Sequence, residues 1–154
     1  MTTRADYTND EWKLIMNAPT VAGLGVSMAD FGVVSFAKEF AALVRAVNGA
    51  KAKYPHNQLI QSLIAEFESK SDAAAEPPEA GKKSADDLLG DIRKVAAVVD
   101  SKAAADEALG FKTFLLDLSE TVANASGEGF LGFGEKVSDK EREYLQKLRA
   151  TLTL

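Results

Sequence analysis

The sequence predicts an all-α fold, a compact bundle of six to seven helices, and three observations support this prediction. Apolar residues recur at helical spacing in one segment after another. Capping boxes that begin at Thr8, Ser84 and Ser138 mark helix starts. No segment shows the strict alternation of apolar and polar residues that is typical of a half-buried strand. The 154 residues are enough for one domain with a sizeable core, so we expect a single helical domain over 1–154.

The first half of the chain contains four predicted helices. The first opens at the Thr8 capping box, and Pro19 is expected to interrupt or restart it. Residues 20–29 are small and apolar, which is typical of a helix buried on most sides. The third helix should end before Pro55, because the residue preceding a proline avoids the helical region. The apolar stripes of the third and fourth helices are Phe36, Phe40, Leu43, Val44 and Val47, followed by Leu59, Ile60, Leu63, Ile64 and Phe67.

The second half follows a change of composition. Residues 70–83 read KSDAAAEPPEAGKK, and Pro77-Pro78 cannot continue a helix. We therefore predict a flexible linker at about 70–83 between two halves. Three further helices are expected, one opened by Ser84, one over 102–125 and one opened by Ser138. Their predicted core residues are Leu88, Leu89, Ile92, Val95 and Val99; Leu109, Phe111, Phe114, Leu115, Leu118 and Val122; and Leu145, Leu148 and Leu152.

Composition restricts the function classes. The net charge of −5, with basic residues interspersed among acids, argues against a nucleic-acid partner. No apolar run reaches the roughly 18–20 residues that span a bilayer. The N-terminal residues lack the apolar core of a signal peptide and the chain has no cysteine, so we expect a cytoplasmic protein without disulfides. Neither oligomeric state nor partner identity follows from these features.

The single histidine restricts metal and catalytic chemistry. His56 follows Pro55, where we expect an exposed turn or a helix cap. A ferritin-type di-iron site and a zinc site with several histidines both need more histidines than the chain has. Any bound metal would be held by oxygen ligands, which favours calcium, magnesium or manganese. The sequence offers no way to pair carboxylates across a pocket, so we expect no enzymatic activity.

The glycine-rich stretch 126–137 matches the G-x-G-x-x-G pattern but lacks its context. A dinucleotide fingerprint follows a strand and opens a helix, whereas here a predicted helix precedes the glycines. Two interpretations of the segment stay open. The apolar side chains pack into the core while the glycines form positive-φ turns, or they are exposed and bind a protein partner or a membrane surface. These side chains are Phe130, Leu131 and Phe133.

Acidic residues gather at two bends that resemble each other. Phe31-Gly32 and Phe133-Gly134 each precede a Val-Ser pair, then a glutamate and an amphipathic helix. A duplicated helix–bend–helix unit explains the similarity, and chance likeness of two helix entries is the alternative. Each carboxylate has an ordinary interpretation as a helix cap or dipole partner. The candidate cation ligands are Asp30 and Glu39 at the first bend, and Glu135, Asp139 and Glu141 at the second.

The two bends resemble the units of the TerB-like tellurite-resistance family. The first unit is matched by Ala29, Asp30, Gly32, Val34, Ser35 and Glu39, and the second by Gly134, Val137, Ser138, Glu141 and Leu145. In the second unit Phe133 stands where the family has aspartate, and the first unit carries inserted residues. The resemblance covers about 60 of the 154 residues.

The resemblance implies a non-enzymatic, pseudo-duplicated helical bundle that binds divalent cations through acidic bends. It further implies a role in the tellurite or general stress response of bacteria. The alternative is a structural or adaptor module that uses the loop 126–137 to bind a protein partner or a membrane surface.

Overall fold

The computed structural model describes residues 1–29, 36–70, 83–126 and 137–154, with side chains except at 36–39, 70 and 126. These residues form helices and no strand, which confirms the predicted all-α bundle. The predicted linker falls largely on residues 71–82, outside the described residues. The elements are a 3-10 turn at Arg4–Asp6, α1 at Asn9–Ala29, α2 at Phe36–Lys53, α3 at Gln58–Lys70, α4 at Ala85–Lys102, α5 at Ala105–Ser126 and α6 at Asp139–Leu152.

Side-chain caps set the starts of α1, α4 and α6, as the sequence predicts. The Thr8 N–H donates to Glu11 Oε2 at 2.7 Å, and the Glu11 N–H donates back to Thr8 Oγ1 at 3.3 Å. Ser84 and Ser138 form the same reciprocal box at the starts of α4 and α6. Each box satisfies backbone donors that a helix start otherwise leaves without partners.

Pro19 does not interrupt the first helix, so that prediction is wrong. α1 is continuous for 21 residues with Pro19 inside it. An interior proline removes one helical hydrogen bond and costs about 3 kcal/mol. Here the ring is buried, and the fully buried Ile15 and Ala22 lie one turn before and almost one turn after it. Packing on both sides of the proline therefore offsets the local preference for a break.

The directions of the helices create two distinct ends of the bundle. At one end the Thr2 N–H donates to Glu107 Oε2 at 2.8 Å, and farther along Ser119 Oγ donates to the Ala22 carbonyl at 3.1 Å. α1 and α5 therefore run in the same direction. The end of α4 lies beside the start of α1, where Lys102 and Glu11 form an ion pair at 2.7 Å. α1 therefore ends where α4 begins, at the end of the bundle away from Glu107.

Among the side chains that the structure describes, the core is largely the predicted one, with two errors. Val44 is 43% exposed and Leu109 is 53% exposed, although both were expected to be buried. Each directly follows a buried residue, Leu43 or Ala108, and successive helical residues diverge by about 100°. Both side chains therefore lie past the edge of the buried face. The largest fully buried side chains are Phe111, Phe114, Ile15, Leu59, Ile60, Leu63, Ile64, Ile92, Leu115, Leu118, Leu148 and Leu152.

Within the described ranges no helix combines the length and the apolar character needed to cross a membrane.

Candidate functional site

An open groove lies where α1 ends and α4 and α6 begin. Its volume is about 620 Å³, and it is lined by the last two residues of α1, by the start of α4 and by one face of α6. We name it the α1–α4–α6 groove. Its charged and polar lining residues are Lys83, Ser84, Asp86, Lys140, Glu143, Tyr144 and Lys147.

Two neighbouring aspartates at the start of α4 have different surroundings. Asp87 closes the capping box, where its Oδ2 accepts from the Ser84 N–H at 2.9 Å and from Ser84 Oγ at 2.7 Å. These hydrogen bonds lower the pKa of Asp87. Asp86 lines the groove instead. Of the two adjacent carboxylates, that of Asp87 therefore caps the helix and that of Asp86 lines the groove.

Tyr144 lines the groove and packs α6 against α1. The residue is 3% exposed, and its hydroxyl has no hydrogen-bond partner within the described part of the chain. It lies over the backbone of Gly25, where an added Cβ would overlap the hydroxyl oxygen. Burial, and secondarily the charge of Asp86, raise the pKa of Tyr144. Glycine at position 25 is therefore a steric requirement of this helix contact.

The groove carries charges of both signs. Lys83 forms an ion pair with Asp91 at 2.5 Å, and Lys147 forms one with Glu143 at 3.0 Å. The pKa of Lys147 is raised by the hydrogen bond to Glu143, by the charge of Glu143 and then by that of Asp86. Asp86 and Glu143 are the carboxylates of the described lining. Their oxygen atoms are the ligand type that hard cations such as calcium prefer.

The predicted cation ligands have different positions relative to the groove. Asp139 has a 90% exposed side chain and pairs with Arg142 at 2.7 Å. Glu141 is buried, and its Oε2 accepts from the Ser138 N–H at 2.8 Å as part of the α6 capping box. Glu39 lies on α2, but its side chain is outside the described residues, as are Asp30 and Glu135 altogether. Within the described ranges no three potential metal ligands form a group.

Sequence reasoning missed Asp86 and Glu143. A signal for Glu143 was present, because Lys140, Glu143 and Lys147 share one helix face at spacings of three and four. Asp86 resembled an ordinary member of a capping motif. Only the position of α4 beside the end of α1 distinguishes it from Asp87.

The remaining predictions concern the glycine-rich loop and the histidine. Phe130, Leu131 and Phe133 lie outside the described residues, so both interpretations of that loop stay predictions. His56 is an exposed turn residue, as expected. The neighbouring Asn57 is the residue that caps α3, because its Oδ1 accepts from the Ile60 N–H at 3.1 Å.

The opposite end of the bundle holds a buried polar cluster around Glu107. Its Oε1 accepts from the Leu59 N–H at 3.1 Å, and its Oε2 accepts from the Thr2 N–H at 2.8 Å and from Thr2 Oγ1 at 3.1 Å. Asn57 Nδ2 donates to the Glu107 carbonyl at 2.9 Å. The carboxylate therefore joins the N-terminal residues to α3 and α5. These hydrogen bonds give the carboxylate a structural role.

Comparison with protein-family models, curated proteins and solved structures gave no match.

Proposed function

We propose that this is a non-enzymatic helical protein that binds a divalent cation at the end of the bundle where α1 ends and α6 begins. One observation supports this proposal above the others. Ala29, which directly precedes Asp30, lines the same groove as Glu143 and Tyr144 of α6. Two segments that are more than a hundred residues apart in the sequence thus meet at one groove.

The donor set favours a hard cation. Asp86 and Glu143 belong to the groove. Asp30 and Asp139 directly adjoin lining residues in the sequence, and Glu135 precedes Asp139 on the same segment. Calcium takes about six to eight oxygen ligands and tolerates irregular geometry, so carboxylates from several segments suit it. Manganese and magnesium share the preference for oxygen. A cation would compete with Lys147 for Glu143, which favours weak binding.

The TerB-like resemblance supports a wider proposal. A cation-binding helical protein of this type would act in the tellurite or general stress response of a bacterial cytoplasm, through a protein partner. This role rests on the motif at the bends, and the cation experiment tests its first requirement.

Calorimetric titration of calcium and of manganese into the full chain tests the cation proposal. We expect saturable binding that an Asp30→Ala/Glu135→Ala double variant weakens about tenfold or more, because each lost carboxylate removes a ligand and a charge. Asp106→Ala is the matched control, since Asp106 is exposed at the Glu107 end of the bundle. No saturable binding, or equal affinity in the double variant, contradicts the proposal.

The alternative proposal is an adaptor module that binds its partner through the loop 126–137. Three apolar side chains flanked by glycines suit a loop that projects them towards a partner. A Phe130→Ser/Phe133→Ser variant should then stay folded but no longer bind the partner in a pull-down. In the variant the partner should also no longer protect the loop from protease. Unfolding of that variant would identify the loop as core and contradict the adaptor proposal.

A further inference from the structure

We infer that α6 is a separable helix. It leaves the body formed by the other helices in a local opening that costs less free energy than global unfolding, and the buried Tyr144 hydroxyl lowers that cost. This inference stands independently of cation binding, because it rests on how α6 packs.

The first observation is the narrow buried stripe of α6. Its buried apolar side chains are Tyr144, Leu148 and Leu152, at spacings of four residues. Most of the other positions are exposed. The regions of a protein that open locally are those with few buried apolar contacts. α5, by contrast, buries aromatic and aliphatic side chains along most of its length.

The second observation is the buried Tyr144 hydroxyl. When α6 is docked, this group has no hydrogen-bond partner among the described residues, and when α6 leaves it regains water. An unsatisfied buried hydroxyl shifts such an equilibrium by a factor of about five to thirty. The docked state of α6 therefore carries a penalty that the open state does not.

One ion pair and the capping box of α6 contribute little to its docking. Arg149 and Glu120 of α5 are 3.9 Å apart and both exposed, and such surface pairs contribute little. The capping hydrogen bonds between Ser138 and Glu141 lie within α6 and its cap, so they persist when the helix separates.

Opening has a direct consequence for the groove. Lys140, Glu143 and Tyr144 leave the groove with α6, and the faces of α1, α4 and α5 on which α6 packs become accessible. The groove is therefore complete only in the closed state. Any ligand that contacts both α4 and α6 would hold α6 closed.

Hydrogen exchange on the full chain, in buffer with a chelator, tests the inference. Relative to their intrinsic rates, amides 143–152 should exchange at least about tenfold faster than the core amides of α4 and α5. Tyr144→Phe should slow exchange in α6 by about fivefold to thirtyfold and leave α4 unchanged. Tyr54→Phe is the control, because the Tyr54 hydroxyl already donates to Asp117 and should not affect α6.

Two results would overturn the inference. One is equal protection of α6, α4 and α5 with the same denaturant dependence, which would mean that α6 opens only with the whole protein. The other is α6 exchange in Tyr144→Phe that is unchanged or faster, which would mean that the hydroxyl does not oppose docking. Either result can be obtained whether or not a cation binds, so it is distinguishable from failure of the cation proposal.

Discussion

Replacing Gly25 by alanine tests the contact that positions α6. The new Cβ would overlap the Tyr144 hydroxyl and ring, and the ring is 3% exposed and cannot swing into solvent without losing its burial. Overpacking of this kind costs about 1–3 kcal/mol. Alanine recovers up to about 1 kcal/mol of helix propensity. We expect a net loss of up to about 2 kcal/mol, equivalent to a decrease in Tm of up to about 8 °C at this chain length.

Urea denaturation followed by circular dichroism measures this loss, and two other helical glycines provide the control. A Cβ at Gly49 or Gly90 would meet nothing within 4 Å. Alanine at either position should therefore stabilise the protein by up to about 1 kcal/mol. If Gly25→Ala proved as stable as Gly90→Ala, the proposed fit of Tyr144 against α1 would be refuted.

Three further predictions follow from the buried and capping groups. Glu107→Ala should lower the free energy of unfolding by about 2–5 kcal/mol, because the buried Thr2 and Leu59 amides lose their acceptor. Urea denaturation measures this change, and a loss below about 1 kcal/mol would contradict the prediction. The folded-state pKa of Tyr144 is raised, so the stability of the protein should fall as the pH rises above the unfolded pKa of 10, and it should fall less in Tyr144→Phe. Alkaline denaturation followed by tyrosinate absorbance checks this. Identical denaturation curves for the variant and the parent protein would refute it. The folded-state pKa of Asp87 is lowered, so its contribution to stability is present above the unfolded pKa of 3.8 and is lost as the pH falls through the lower folded pKa. Acid denaturation of Asp87→Asn should therefore depend less on pH than that of the parent protein. An unchanged pH dependence would contradict the capping role.

Local signals made the helices predictable. The capping boxes at Thr8, Ser84 and Ser138 depend only on residues three positions apart, so the sequence carries the whole motif. The apolar stripes of α3 and α4 are also local, and their predicted residues are buried or partly buried.

The errors arise where tertiary packing decides. Pro19 has a strong local preference to end a helix, and the burial of its neighbours offsets this preference in α1. Val44 and Leu109 fit a broad apolar stripe, but the width of the buried face depends on which helices pack against it. Periodicity gives the direction of a face and not its edges.

The groove was only partly predictable for a similar reason. The sequence predicts cation ligands at two acidic bends, and the end of α1 and one face of α6 line the same groove. Asp86 joins them from α4 through a contact between helices that no local pattern encodes. The unsatisfied hydroxyl of Tyr144 is likewise a property of the packed state, because an aromatic residue on an apolar stripe looks like ordinary core.

Paramagnetic broadening of backbone amide signals by manganese tests the cation site most directly. We predict that substoichiometric manganese broadens the amides of Ala29, Asp86 and Glu143 first. The amide of His56 should stay sharp, because it lies at the other end of the bundle, about 30 Å away along the 21 residues of α1. Broadening that is absent, spread evenly over exposed carboxylates, or centred near His56 would contradict a cation site at the α1–α4–α6 groove.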